Sequence, residues 1–363
     1  MNYKEIIQWI RPLDKNSMTQ AQARVDSLIK PLGSLGLLET LAVQLAGITG
    51  KIHNTVDKRG SIIMSADNGI CAERVSCTPQ DITLIQSINM PRGISGMGTL
   101  SRHANSDLFV VDIGIDSDYR DDKILYRKIR RGTANFAKGP AMFREEAEQA
   151  IQVGIDMVAQ LATEGYQIIG TGEMGIGNTS SSSAVIMTLT GISAQQAVGK
   201  GGGLTEEAYE NKKRILQEAI SLNRPDPLDP IDVLAKVGGL DIAGLTGVFL
   251  GAAYYRVPVV IDGVISAAAA LVASRLQPLV TGYMIASHIS REPAYSLIAQ
   301  TLGLKPMLAM EMRLGEGTGC ALAFPIISAA CAMMNQMATF ADISYDETYR
   351  VDIRDGEQGE QSK

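Results

Sequence analysis

Acidic residues followed closely by glycine recur along the chain, at places where strands would end. The sets are Asp67-Asn68-Gly69, Asp112-Ile113-Gly114, Glu173-Met174-Gly175, Asp262-Gly263 and Gly315-Glu316-Gly317. In an open parallel sheet, ligands gather outside the carboxyl ends of the strands, so these acids could line one rim. A lone Asp in such a turn can equally cap the next helix. Glu173 and Glu316 are the stronger candidates, because the glycines around them let backbone approach a ligand. Gly170-Thr171-Gly172-Glu173-Met174-Gly175 also fits the G-x-G-x-x-G dinucleotide fingerprint. That fingerprint needs an acid about twenty residues on to hold the ribose. No Asp or Glu stands between Glu173 and Glu206, which counts against an NAD-dependent dehydrogenase. The next run, Gly177-Asn178-Thr179-Ser180-Ser181-Ser182-Ser183, offers hydroxyls and N–H groups at a helix start. Such a start cradles phosphate without needing a dinucleotide. Lys200-Gly201-Gly202-Gly203, with Lys212 and Lys213 beyond it, is a second phosphate-holding candidate. Carboxylates beside a phosphate site suit chemistry at a sugar's anomeric carbon, where a base deprotonates an acceptor as an oxocarbenium-like centre forms.

The elements that must carry these turns are legible as a change of rhythm. The first fifty residues read as short helices. Pro12 stops the first, Asn16 or Ser17 caps a second with an Ala21, Val25, Leu28 and Leu32 face, and a third runs from about Leu37 to Ile48. Short apolar runs then appear at Ser61–Ser65, Leu108–Val111, Gln167–Gly170, Pro258–Ile261, Leu279–Thr281 and Pro306–Ala309. Helical stretches such as Phe143–Leu161 separate most of them, which predicts a parallel sheet with helices on both faces. A last helix, about Ala321–Phe340, is apolar or small nearly all round and must be buried in a core or a subunit interface. Arg354–Lys363 reads as a frayed polar tail.

Composition narrows the function. The chain has 363 residues, 45% of them hydrophobic, and a net charge of −6, which supports a large core but neither nucleic-acid nor membrane binding. Met1–Lys15 lacks the apolar core of a secretory signal, and Val257–Leu276 is too interrupted to span a bilayer. Cys71, Cys77, Cys320 and Cys331 form no CxxC pair, and His53, His103 and His288 supply no partner set. The expectation is a cytoplasmic protein with unpaired thiols, no metal and no cofactor.

Several long segments together resemble the nicotinate-nucleotide:dimethylbenzimidazole phosphoribosyltransferase family over nearly the whole chain. They are Lys30-Pro31-Leu32-Gly33-Ser34-Leu35-Gly36, Ala66-Asp67-Asn68-Gly69, Val111-Asp112-Ile113-Gly114, Gly172–Thr179, Ala286-Ser287-His288 with Ser290 and Glu292, and Arg313-Leu314-Gly315-Glu316-Gly317-Thr318-Gly319. The resemblance implies a six-stranded parallel sheet flanked by helices, Rossmann-like, in a catalytic domain spanning 51–320. It also implies a small helical domain built from 1–50 and 321–363. The assembly would be a dimer whose site draws on both subunits, either two copies of this chain or this chain with a paralogue. Ribose 5-phosphate would pass from nicotinate mononucleotide to the lower-ligand base of a cobamide, with Glu316 as general base and Glu173 at the nucleotide site. Gly175, Lys212, Asp262 and Ser290 would belong to the nucleotide site, with Lys212 and Ser290 near the phosphate, and Asn178, Thr179, Leu314 and Gly315 would bind substrate. Thr78 and Gln86 would belong to the acceptor pocket. The chain departs from the family pattern at Leu37 (usually arginine), Asn68 (usually histidine), Cys77, Thr78 (usually serine), Lys200–Gly203 and Cys320. Several of these fall on or near the acceptor side, so the resemblance leaves open benzimidazoles, purines and phenols, among them p-cresol, as acceptors. A weakly active or non-catalytic subunit beside a catalytic paralogue is the alternative.

Overall fold

The computed structural model describes residues 1–201, 203–346 and 350–354. In chain order the elements are α1 (Tyr3–Trp9), α2 (Lys15–Ser27), α3 (Leu37–Thr49), β1 (Arg59–Ala66), α4 (Ile82–Asn89), α5 (Gly96–His103), β2 (Asp107–Gly114) and β3 (Ile124–Tyr126). They continue with α6 (Arg144–Thr163), β4 (Ile168–Met174), α7 (Asn178–Thr190), α8 (Ala194–Ala197), α9 (Glu206–Asn223), α10 (Pro230–Val237) and α11 (Leu240–Tyr255). The last are β5 (Val259–Ile261), α12 (Val264–Leu276), β6 (Met284–Ala286), α13 (Tyr295–Thr301) and α14 (Thr318–Gln336). The strands form one six-stranded sheet in the order β3-β2-β1-β4-β5-β6. Every pairing is parallel. The fold is therefore the α/β parallel sheet flanked by helices that the resemblance implies.

Two of the expected strands are not strands of this sheet. Leu279–Thr281 lies in a 3₁₀ turn over Pro278–Tyr283, where proline begins the turn, and the strand follows it at Met284–Ala286. Pro306–Ala309 only bridges His288 through Leu308. The strand that takes the vacant edge place is β3, a three-residue segment in polar surroundings that pairs with Val110–Asp112. Other ends differ by a turn. Asp14, not Asn16 or Ser17, caps α2 by accepting Ser17 N–H at 2.9 Å. Leu28 and Leu32 lie beyond the helix and bridge Thr339 and Asp352.

The chain divides into two compact units, residues 1–11 with 58–323, and residues 12–57 with 324–363. The larger unit carries the sheet. Helix α1, grouped with the small unit in the sequence reading, goes with the larger one. Tyr3 and Ile6 are buried, the Tyr3 hydroxyl donates to Glu148 at 2.9 Å, and Gln277 donates to Ile7 O at 2.9 Å. In the smaller unit α2 and α3 pack together, and a buried Lys30–Glu39 ion pair at 2.7 Å braces the Pro31–Gly36 turn. Arg354 is described, but the rest of the expected tail lies outside the described residues.

The core of the larger unit is built on a glycine seam. Helix α11 is apolar apart from Asp241 in its first turn and Thr246, and is buried along almost its whole length. It lies against α6 so closely that a Cβ on Gly154 would overlap Gly244 O, and one on Gly247 would overlap Ile151 O. Among the described residues α14 alone is long and apolar enough to cross a membrane, and most of it is buried inside the chain.

Candidate active site

The carboxyl ends of β4, β5 and β6 converge on one cleft. Glu173 is the penultimate residue of β4, a strand buried at every position, and α7 begins four residues after Met174 with Asn178. Asp262 follows β5, and Ser287, His288 and Ser290 follow β6. The Gly315–Gly317 turn enters α14, while Ile82 and Gln86 come from α4 and Ser76 and Thr78 from the loop before it. Together they enclose a cleft of about 340 Å³.

Asp262 fixes the turn that carries Glu316. Its Oδ2 accepts Gly317 N–H at 2.9 Å and its Oδ1 accepts Gly319 N–H at 2.7 Å, so it satisfies donors at the start of α14. Within that clamp Glu316 takes a left-handed φ of 61°, a conformation that a non-glycine residue holds only when its surroundings enforce it. The Glu316 side chain is buried, and Met97 N–H donates to its Oε2 at 2.9 Å. Its own N–H donates to Glu173 Oε1 at 3.3 Å. Met97 belongs to an apolar cluster with Met90 and Met174, against which Ile82 and Ile176 pack. Glu316 therefore stands where an apolar wall meets a polar one.

The polar wall holds several carboxyls, and among the described residues no lysine or arginine is paired with Glu173 or Asp262. Burial, then the neighbouring Asp241 and Asp262, push Glu173 up to about 8, against hydrogen bonds from Asn178 and Glu316 N–H. Burial raises Asp262 to about 7, with Glu316 adding and the N–H groups of Gly319, Gly317 and Gly263 opposing. His288 is held below its ordinary value by burial. Its Nδ1 lies 2.9 Å from Ser287 Oγ.

Of the residues singled out in the sequence, Glu316, Glu173, Thr78, Gln86, Gly175, Asn178, Thr179, Asp262, Ser290, Leu314 and Gly315 all line the cleft. Lys212 does not. Its fully buried Nζ donates to Thr179 Oγ1 at 3.0 Å and to Gly199 O at 3.2 Å, so it sits behind the wall. Burial lowers its pKa to about 8, with the Glu292 carboxylate opposing. Two of the rim acids hold loops instead of lining the cleft. Asp67 Oδ2 accepts Asp116 N–H at 2.7 Å, and Asp112 accepts Ile115 N–H at 2.9 Å and pairs with Lys128 at 3.2 Å. Asn68, read as an acceptor-side departure, is fully buried and outside the lining; its Oδ1 accepts from Ser181 Oγ at 2.7 Å. Cys77 is exposed and also outside the lining, whereas Thr78 and Gly201, of the departing Lys200–Gly203 loop, line the cleft.

A family model described as a phosphoribosyltransferase matches residues 10–344. A Clostridium tetani protein named nicotinate-nucleotide–dimethylbenzimidazole phosphoribosyltransferase is 52% identical over 97% of this chain and 98% of its own length. A Clostridium perfringens protein of the same name is 50% identical over the same shares. A crystal structure of the Thermus thermophilus protein of that name superposes with a TM-score of 0.87 at 35% identity, covering 92% of this chain and 99% of that one. The chain belongs to this phosphoribosyltransferase family.

Sequence reasoning missed some of the phosphoribosyltransferase's cleft. Glu292 and the exposed Arg313 line it near the glycine loop, and both lie in motifs that carried the resemblance. Asp241, buried behind the wall, had weaker signals, the Gly238-Gly239 pair before it and its place in the first turn of an apolar helix.

Proposed function

We propose that the enzyme transfers the 5-phosphoribosyl group of nicotinate mononucleotide to 5,6-dimethylbenzimidazole or a related aromatic base, releasing nicotinate and giving the α-riboside phosphate. The observation that carries this reading is the placement of Glu316, a buried carboxylate clamped in a left-handed turn between the Met97 cluster and Glu173. A flat aromatic acceptor suits the wall of Ile82, Ile176 and Leu314, with Gln86 and Thr78 as its polar edges. Met97 N–H holds Oε2, so Oε1 takes the acceptor's proton as the acceptor attacks C1 of the ribose. Inversion at C1 follows from attack opposite the departing nicotinate, whose positively charged ring nitrogen makes it a good leaving group. Thr179, Ser290 and the exposed Arg313 are the groups for the donor's phosphate, with Lys212 acting on Thr179 from behind.

The acceptor set in this proposal extends to phenols, and Thr78 is the residue that supports it. Its extra methyl reshapes the wall where a phenol, which attacks C1 through the same oxygen that loses the proton, would have to sit, an effect of roughly 1–3 kcal/mol in selectivity. Incubating the purified chain with nicotinate mononucleotide and a panel of benzimidazoles, purines and p-cresol, with products identified by mass, tests the reading. Dimethylbenzimidazole riboside phosphate is the expected product, with a cresol riboside beside it. No product from any base unless a paralogue is added would favour the alternative of a non-catalytic subunit. Product from benzimidazoles but never from phenols, even with a paralogue, would remove the phenol extension. The proposed assembly is a dimer. The surface of α14 is a poor argument for it, since the helix finds most of its burial within its own chain. Light scattering at micromolar concentration should report twice the mass of one chain, and a stable monomer would refute the homodimer.

A further inference from the structure

Glu173 has a neighbour that none of these roles uses. Asp241, in the first turn of α11, is fully buried. Its Oδ2 accepts from Asn178 Nδ2 at 3.0 Å, and the same nitrogen donates to Glu173 Oε2. An amide NH₂ has two hydrogens, so it gives one to each carboxyl and holds the pair one nitrogen apart. The outer oxygens are also occupied. Glu316 N–H donates to Glu173 Oε1 at 3.3 Å, and Ile242 N–H to Asp241 Oδ1 at 3.0 Å. Glu173 lines the cleft and Asp241 stands directly behind it, for a Cβ on the lining residue Gly175 would be 2.8 Å from Asp241 Oδ2.

The groups facing this pair come from every element around it. They are Asn178 of α7, Asn68 after β1, whose Oδ1 accepts from Ser181, Asp262 after β5 and Glu316 before α14. Among the described residues no Lys, Arg or His is paired with either carboxyl. Two buried carboxyls at this spacing without a cation cannot both be ionised at little cost. Nor is there reason for both to be neutral, because Asn178 donates to each and favours the charged form.

We propose that Asp241 is a positioning residue for the transfer reaction: held beside Glu173 by the Asn178 amide, it leaves the two carboxyls one proton between them, so that the pair carries a single fixed negative charge at this wall of the cleft. Burial and mutual repulsion put Glu173 at about 8 and burial puts Asp241 at about 6, which brackets one proton at neutral pH. The use of that charge rests on the function proposed above. Positive charge grows on the ribose as nicotinate leaves, and a carboxylate fixed in a dry wall stabilises it without having to reorganise.

Infrared titration of the protonated-carboxyl band on the full-length chain without substrate tests the pairing, and does so whatever the enzyme transfers. Wild type, Asp241→Asn, Glu173→Gln and the double variant are compared, the double variant giving the background from other acids. The wild type should show a carboxyl titrating near pH 8, and Asp241→Asn should move that midpoint down by about one pH unit or more. In Glu173→Gln the remaining Asp241 should be ionised at neutral pH. An unmoved midpoint in Asp241→Asn would show that burial alone holds the proton, and would overturn the proposal. If Asp241→Asn does not fold, Glu173→Gln decides, since an Asp241 still protonated above neutral pH overturns it equally. In turnover assays the double variant should lose about tenfold or more in kcat beyond either single change, with KM nearly unchanged. A double variant no slower than the worse single one would also count against it. Absence of turnover in the wild type with every acceptor would refute the functional reading and leave the titration result standing.

Discussion

Glu316 combines three constraints that a structural side chain would not need together: a left-handed backbone, a buried carboxylate and a position on the cleft wall. Glu316→Gln separates the chemical from the structural role. Glutamine keeps the shape and can still accept the Met97 N–H through its carbonyl oxygen, but it cannot take a proton from the acceptor. Turnover should fall by roughly a hundred- to ten-thousandfold, with binding of nicotinate mononucleotide little changed in calorimetry. Near-normal turnover would show that the proton leaves by another route. Glu316 and Glu173 were legible in the sequence because each sits among glycines in a contiguous motif. Lys212 was legible as a residue but not as a position, because a helical lysine's reach depends on what packs over it. Here Thr179 and Gly199 intercept the ammonium before the cleft.

At the scale of elements, the site depends on how α14 starts against β5 and β6. Gly319 lies in the first turn of that helix, where a Cβ would overlap the His288 ring and approach Ser287 Oγ at 2.6 Å. His288 cannot easily yield, because it is buried, hydrogen-bonded to Ser287 and stacked on Tyr295 at 6.2 Å between ring centroids. Gly319→Ala should therefore shift the start of α14 and loosen the Asp262 clamp. A destabilisation of about 1–3 kcal/mol is expected, as for other overpacked sites, together with a fall in kcat. Denaturant melts and turnover assays that both match wild type would refute this account of the clamp. The strands that carry the site were readable where they are long and apolar, as in β1 and β4, whose buried runs leave no helical period. The edge strands β3 and β6 have three residues each, too few for a period to show. Their places were assigned instead to Leu279–Thr281, which proline turns into a 3₁₀ segment, and to Pro306–Ala309.

Across the whole molecule, the buried carboxyls of the site make stability depend on pH in an unusual sense. Glu173 at about 8, Asp262 at about 7 and Asp241 at about 6 all lie above their ordinary values, burial being the first cause of each. The folded chain therefore binds more protons than the unfolded chain between the ordinary carboxylate range and about pH 8. Stability from these groups is fully present below the unfolded pKa and is lost as pH rises through 6, 7 and 8. Lys212 acts in the opposite sense and in a different window. Its folded pKa is lowered to about 8, so its contribution to stability increases only as pH climbs beyond that value. The salt-bridged Asp229 and Asp352, lowered by Arg144 and Arg354, lose their contribution only on acidification below the ordinary carboxylate range. All four site groups lie in the larger unit, so its unfolding transition should carry the effect. Calorimetric scans should find that transition several degrees lower at about pH 8 than at about pH 5.5, and levelling off above. Glu173→Gln should flatten the slope, because the group with the largest upward displacement no longer titrates. A transition that rises steadily from acid to neutral pH would mean that the cleft carboxyls are already ionised in the folded chain, and that the protons assigned to them are not there.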